Sequence, residues 1–185
     1  MRWLWIDRIV ELRPRERLVA IKNVSLAEEY LQDHFAAREV RAGGEGAGTP
    51  RSQSGPRWHG AMPIMPASLI IEGMAQTAGI LVGHAEDFKE KVILAKVGVA
   101  ELEREATPGT TLRYTAVMKQ IDRMGAATEG TVELWDHGRA ERWEKIGRID
   151  LMFSHIDKNM SGMEFPEENF VFGESFRTLL RMSGV

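Results

Sequence analysis

Residues 67–83, ASLIIEGMAQTAGILVG, decide the fold. Apolar residues surround the axis on nearly every side, so the segment predicts a helix sunk in a core rather than one lying on a surface. Pro66 suits the first turn, where a missing N–H costs nothing. Gly83 is the predicted stop, with His84 just beyond it. Around this helix the chain reads as strands. Upstream, Leu18–Val24 is rich in β-branched residues. Downstream, residues 92–102 form a long β-rich run, and Pro108-Gly109 is a turn. Leu112, Tyr114, Ala116 and Met118 then alternate on one face of residues 110–118. Residues 126–135 and 140–153 flank Asp136-His137-Gly138-Arg139, a hairpin turn signal, and Ile149, Leu151 and Phe153 alternate again. One buried helix among antiparallel strands predicts an α+β fold in which the sheet wraps the helix.

The remaining segments fill in this plan. Ser25-Leu26-Ala27-Glu28 reads as a capping box opening a short helix to about Gln32, which delivers Asp33-His34-Phe35. Residues 36–60 hold six glycines, two prolines, four arginines and no apolar period, and read as a loop or insertion. In the tail, Phe176, Leu179 and Leu180 share one face of a short helix. The expected organisation is a single domain over 1–160, carrying the glycine-rich insertion at about 36–60, and a C-terminal tail over 161–185.

Composition narrows the function classes. With 185 residues, 24 basic against 27 acidic and a net charge of -3, the chain lacks the basic excess of a nucleic-acid binder. Without cysteine it has no disulfide, thiolate metal site or thiol nucleophile. Asp7 and Arg8 cut the N-terminal apolar patch short of a secretory signal, and Glu72 and Gln76 interrupt the most apolar run. A cytoplasmic location without membrane insertion is therefore expected.

Ser68, Glu72 and Gln76 stand at i, i+4 and i+8, along one face of the central helix. An unpaired carboxylate is costly in so apolar a helix, which favours the neutral acid that a proton donor needs. The same residue read structurally is a carboxyl hydrogen-bonded to backbone or to another subunit. His34 is the candidate complementary base, between a helix and a loop; read structurally it is one ordinary, partly buried histidine among five. The other histidines, at 59, 84, 137 and 155, show no metal-ligand spacing, and neither a phosphate loop nor a G-x-S-x-G elbow is present.

Residues 5–12 (WIDRIVEL), 19–35 (VAIKNVSLAEEYLQDHF) and 62–83 (MPIMPASLIIEGMAQTAGILVG) together resemble the hot-dog 3-hydroxyacyl-[acyl-carrier-protein] dehydratases. The family motif has the form HFPGxPxMPGxLxxEAMAQ. Asp33-His34-Phe35 matches its first block, and Pro63–Gln76 its second. The resemblance implies a hot-dog fold, with His34 as catalytic base, Glu72 as catalytic acid and Gln76 supporting the carboxylate. Glu rather than Asp at 72 points to the FabZ branch, which dehydrates without isomerising. It further implies a 3-hydroxyacyl substrate on an acyl carrier protein, no metal or cofactor, and enolate stabilisation by backbone N–H groups near Ala67 and Ser68. Active sites shared between two protomers are implied as well, in a homodimer or a hexamer built as a trimer of dimers.

The chain also departs from that pattern. The family histidine stands seven residues before the motif Met, whereas Met65 lies 31 residues past His34, an insertion of 24 residues. Ungapped, the motif would put Trp58 at the catalytic position with His59 beside it, so His59 is the alternative base. Ala67 replaces the motif glycine. Two other readings stand beside the dehydratase: a catalytically impaired hot-dog subunit binding acyl chains or a partner, and a hot-dog acyl thioesterase. Arg38, Arg41, Arg51, Arg57, Arg177 and Arg181 are candidates for a basic rim facing an acidic carrier, or are simply solvated charges.

Overall fold

The computed structural model describes residues 4–32, 63–139, 141–156 and 172–185. Six strands form one antiparallel sheet: β1 (Arg8–Arg13), β2 (Arg17–Asn23), β3 (Lys91–Leu102), β4 (Thr110–Ile121), β5 (Gly125–Asp136) and β6 (Glu144–Ile156). Their spatial order is β1-β2-β4-β5-β6-β3, so β1 and β3 are the two edges. Helix α1 (Glu29–Gln32) is a single turn; α2 (Ala67–Ala85) is the central helix and α3 (Glu174–Ser183) the C-terminal one. At 19 residues, α2 is about 28 Å long. Among the described residues no helix is long and apolar enough to cross a membrane.

Alternation does what the period-2 pattern predicts. Leu112, Tyr114 and Ala116 of β4, and Ile149, Leu151 and Phe153 of β6, turn inward against α2. From α2, Ile70, Met74, Ala78, Leu81 and Val82 are buried in the same cluster. At the tight turn before β4, Gly109 has φ 89°, a conformation side chains disfavour.

Local readings are corrected in four places. Glu28 does not close a capping box: Ser25 Oγ accepts from the Ala27 N–H at 3.1 Å, while the Glu28 carboxylate takes the Lys22 ammonium at 2.7 Å. A buried lysine next to Glu28 outcompetes a neutral amide for the anion. Gly83 does not stop α2, which continues through His84 and Ala85; the left-handed turn residues are Asp87 and Phe88, at φ 52° and 56°. The strand expected from residue 140 starts at Glu144. Strand β1 precedes the first strand that local pattern indicates. Its side chains are mostly half-buried or exposed, with Ile9 turned inward, so alternation barely shows.

Candidate active site

The site is built on the second and third turns of α2. Gln76 is buried, and its amide is held by hydrogen bonds. Its Oε1 accepts from the Trp5 backbone N–H at 2.8 Å, and its Nε2 donates to Glu72 Oε1 at 3.0 Å. Because a backbone N–H can only donate, the amide oxygen must face Trp5 and the amide nitrogen must face Glu72. Glu72 Oε1 is thereby committed as an acceptor. When the carboxyl is protonated, the proton belongs on Oε2. Glu72 itself is half-buried rather than sealed in the core.

The donor that fixes Gln76 is itself held in place. Asp7, two residues after Trp5, accepts from the Asn23 backbone N–H at 2.7 Å and from Lys22 Nζ at 3.1 Å. Its own N–H donates to the Ile21 carbonyl. Burial of Lys22 works against its charge, but the hydrogen bonds and fields of Glu28 and Asp7 outweigh that and hold its pKa above the usual lysine value. The Trp5 ring lies 5.4 Å from that of Tyr30. A charged cluster at the end of β2 therefore positions a backbone donor, which orients an amide, which orients a carboxyl.

Glu72 and Gln76 open into a cavity of about 300 Å³ whose other walls are apolar. Gly79 continues the α2 wall, Leu94 comes from β3 and Phe153 from β6, and Phe172 and Phe176 come from the C-terminal segment. The result is one carboxyl facing an apolar chamber, suited to a substrate with a polar reacting end and a hydrocarbon body. At its start, α2 has no side-chain cap, Pro66 holding the cap position. The first-turn N–H groups thus present the positive end of the helix dipole. Among the described residues no group of three or more potential metal ligands occurs.

Residues 59–138 match the FabA-like domain family. The 3-hydroxyacyl-[acyl-carrier-protein] dehydratase FabZ of Symbiobacterium thermophilum is 30% identical over 149 residues, covering 80% of this chain and 88% of that enzyme. The chain belongs to the FabZ dehydratase family. A bifunctional LpxC/FabZ enzyme of Chlorobaculum tepidum is 32% identical over 158 residues, which are 84% of this FabZ-family chain but 27% of the larger protein. Among solved structures, the dehydratase heterocomplex ApeI:P of Xenorhabdus doucetiae superposes with a TM-score of 0.56 at 14% identity, covering 84% of each chain. That likeness is one of fold, and the fold is the hot-dog.

Of the residues the sequence singles out in this FabZ-family chain, the structure brings Glu72 and Gln76 together. Ser68, on the same helix face, is exposed and outside the hydrogen-bonded set, as is Ala67. His34 and His59 lie outside the described residues, with the insertion and its four arginines. Of the two rim candidates that are described, Arg181 is held by Glu174 at 2.7 Å, leaving Arg177 exposed on the same helix. Sequence reasoning missed the Trp5 donor, because a backbone N–H leaves no mark in composition. The aromatic wall was visible only as a helix face in the tail.

Proposed function

We propose that the protein dehydrates 3-hydroxyacyl thioesters carried on an acyl carrier protein, in fatty acid or related lipid synthesis. The observation that carries this reading is the Glu72 carboxyl, oriented by Gln76, at the polar end of an apolar cavity in a FabZ-family chain. The thioester acidifies the C2 hydrogens, and His34 takes one as base. The electron pair left at C2 forms the C2=C3 double bond as the C3–O bond breaks. Glu72 gives its Oε2 proton to the departing hydroxyl, which leaves as water, and the trans-2-enoyl thioester remains. The Glu72 carboxylate so formed keeps the Gln76 N–H, and proton return from the His34 imidazolium resets the site. N–H groups in the uncapped first turn of α2 face the developing enolate oxygen. The residues present supply both proton transfers without a metal or cofactor.

Each site takes His34 from one protomer and Glu72 from the other, in a homodimer or a trimer of such dimers. In support, β3 is an edge strand, and its Leu94 and Val97 are each 41% exposed. The cytoplasm is the proposed location. The carrier docks on arginines of the insertion together with Arg177.

Steady-state assay with a 3-hydroxyacyl thioester, following enoyl formation, tests the reading. Loss of product in both Glu72→Gln and His34→Ala is expected. Activity that survives His34→Ala but not His59→Ala reassigns the base. Thiol release without enoyl product replaces dehydration by thioester hydrolysis, and an inert wild type leaves an acyl-binding subunit.

A further inference from the structure

The cavity that opens at Glu72 is closed by a part of the chain well past the FabA-like match, which ends at residue 138. Phe172 and Phe176 are buried, at 6% and 7% exposure, and both line the cavity. Their placement is built in. A Cβ at Gly83 would stand 2.5 Å from Phe172 Cζ, so the ring occupies space that only a glycine leaves open. Phe88, Phe172 and Phe176 meet edge to face, with centroids 4.9 and 6.0 Å apart in sequence. Leu179, one turn further, is buried in the core, and at the far end of α3 the Ser183 hydroxyl accepts from the Ile9 N–H of β1 at 3.1 Å. Helix α3 is thus fixed at both ends, and its outer face is polar, with Glu174, Arg177, Thr178 and Arg181 exposed.

We propose that Phe172 and Phe176 form the end wall of the acyl site and set the length of hydrocarbon that the enzyme accepts. This rests on the dehydratase reading above. Gly79 lies seven residues past Glu72, about 10 Å along the axis, and Gly83, seat of Phe172, about 16 Å. The aromatic wall therefore stands where the tail of the chain arrives, not where its thioester reacts. A volume of about 300 Å³ accommodates roughly ten groups of water size at ~30 Å³ each, which matches a short to medium acyl chain. Within the cavity each added methylene improves kcat/KM by about fourfold, from the transfer of one CH₂ out of water. Once the chain meets the rings, the gain stops and reverses.

The test is the chain-length profile of kcat/KM over a series of straight-chain 3-hydroxyacyl thioesters. It is measured beside direct binding of the matching saturated acyl-pantetheine thioesters, which cannot react. Phe176→Ala moves the break in both profiles to longer chains, and Phe176→Trp moves it to shorter ones. Leu179→Ala loosens the same helix without touching the cavity, and leaves the break in place. An unmoved break in both Phe176 variants, or the same shift in Leu179→Ala, overturns the wall. A wild type that makes no enoyl product, yet binds acyl thioesters with a break that Phe176→Ala displaces, keeps the wall and removes the dehydratase reading. Failure of both the reaction and the length-dependent binding removes both.

Discussion

Gly79 and Gly83 stand one turn apart on α2, and alanine acts in opposite directions at the two. Within a helix, alanine is favoured over glycine by about 0.5–1 kcal/mol, chiefly through backbone entropy. At Gly79 a new Cβ meets Phe153 Cε1 at 3.7 Å, an ordinary contact, so Gly79→Ala keeps that gain. At Gly83 it would lie 2.5 and 2.8 Å from the Phe172 ring and 2.9 Å from Phe88 Cδ1. No rotation of a methyl relieves three such contacts, and Phe172 has to leave. Re-exposing a phenylalanine costs about 1.5–3 kcal/mol, which exceeds the helical gain and leaves a net loss of about 0.5–2.5 kcal/mol. For a chain of this size each kcal/mol moves Tm by about 2–4 °C, so Gly83→Ala melts about 1–10 °C below wild type and Gly79→Ala slightly above it. Thermal and urea unfolding of the two variants side by side measure the difference. Repeating Gly83→Ala in a Phe172→Ala background isolates the clash, whose cost shrinks once the ring is gone. A Gly83→Ala protein as stable as wild type, or a penalty unchanged without Phe172, would refute the seating of Phe172 on Gly83.

Gln76→Leu removes the amide that orients Glu72, and kcat falls about 10- to 100-fold, the equivalent of a hydrogen bond to a charged group at ~1.5–3 kcal/mol; steady-state kinetics check it, and KM changes little because the apolar cavity is intact. Lys22→Met leaves the Asp7 and Glu28 carboxylates without their shared cation. It costs about 1–3 kcal/mol in urea unfolding, less than a fully buried pair because both carboxylates are partly exposed. The folded pKa of Lys22 lies above its ordinary value of 10.5, so its contribution is complete below that pH and fades as pH rises through the folded value. Wild type accordingly loses stability on that alkaline limb and Lys22→Met does not, as denaturation curves across the range will show. Val97→Lys on the β3 edge converts the proposed dimer into monomers in light scattering, through like charges meeting across the two-fold.

The central helix was legible because its pattern depends on composition alone: seventeen residues with four polar side chains, at 68, 72, 76 and 77, have only a core to go to. The strands of the second half were legible by alternation, and Glu72 and Gln76 by their four-residue spacing. Where the reading failed, the deciding partner lay outside the local pattern, elsewhere in the fold. Glu28 looked like a cap from its neighbours, but Lys22 of β2, which also binds Asp7, claims its carboxylate. Gly83 looked like a stop because glycine ends helices, whereas Phe172 gives it a different role. Trp5 reaches Gln76 across 71 positions by a backbone group that every residue but proline carries.

The bond between Ile9 and Ser183 joins positions 174 residues apart. On the ribosome, at about 5–20 residues per second, the first partner waits on the order of 9–35 s for the second. Within it, the seat of Phe172 at Gly83 stands open and apolar from the synthesis of α2 until Phe172 follows 89 residues later, about 4–18 s at the same rate. The nascent chain must therefore carry an unfilled groove until Phe172 emerges, and chaperone demand during synthesis is concentrated in that window.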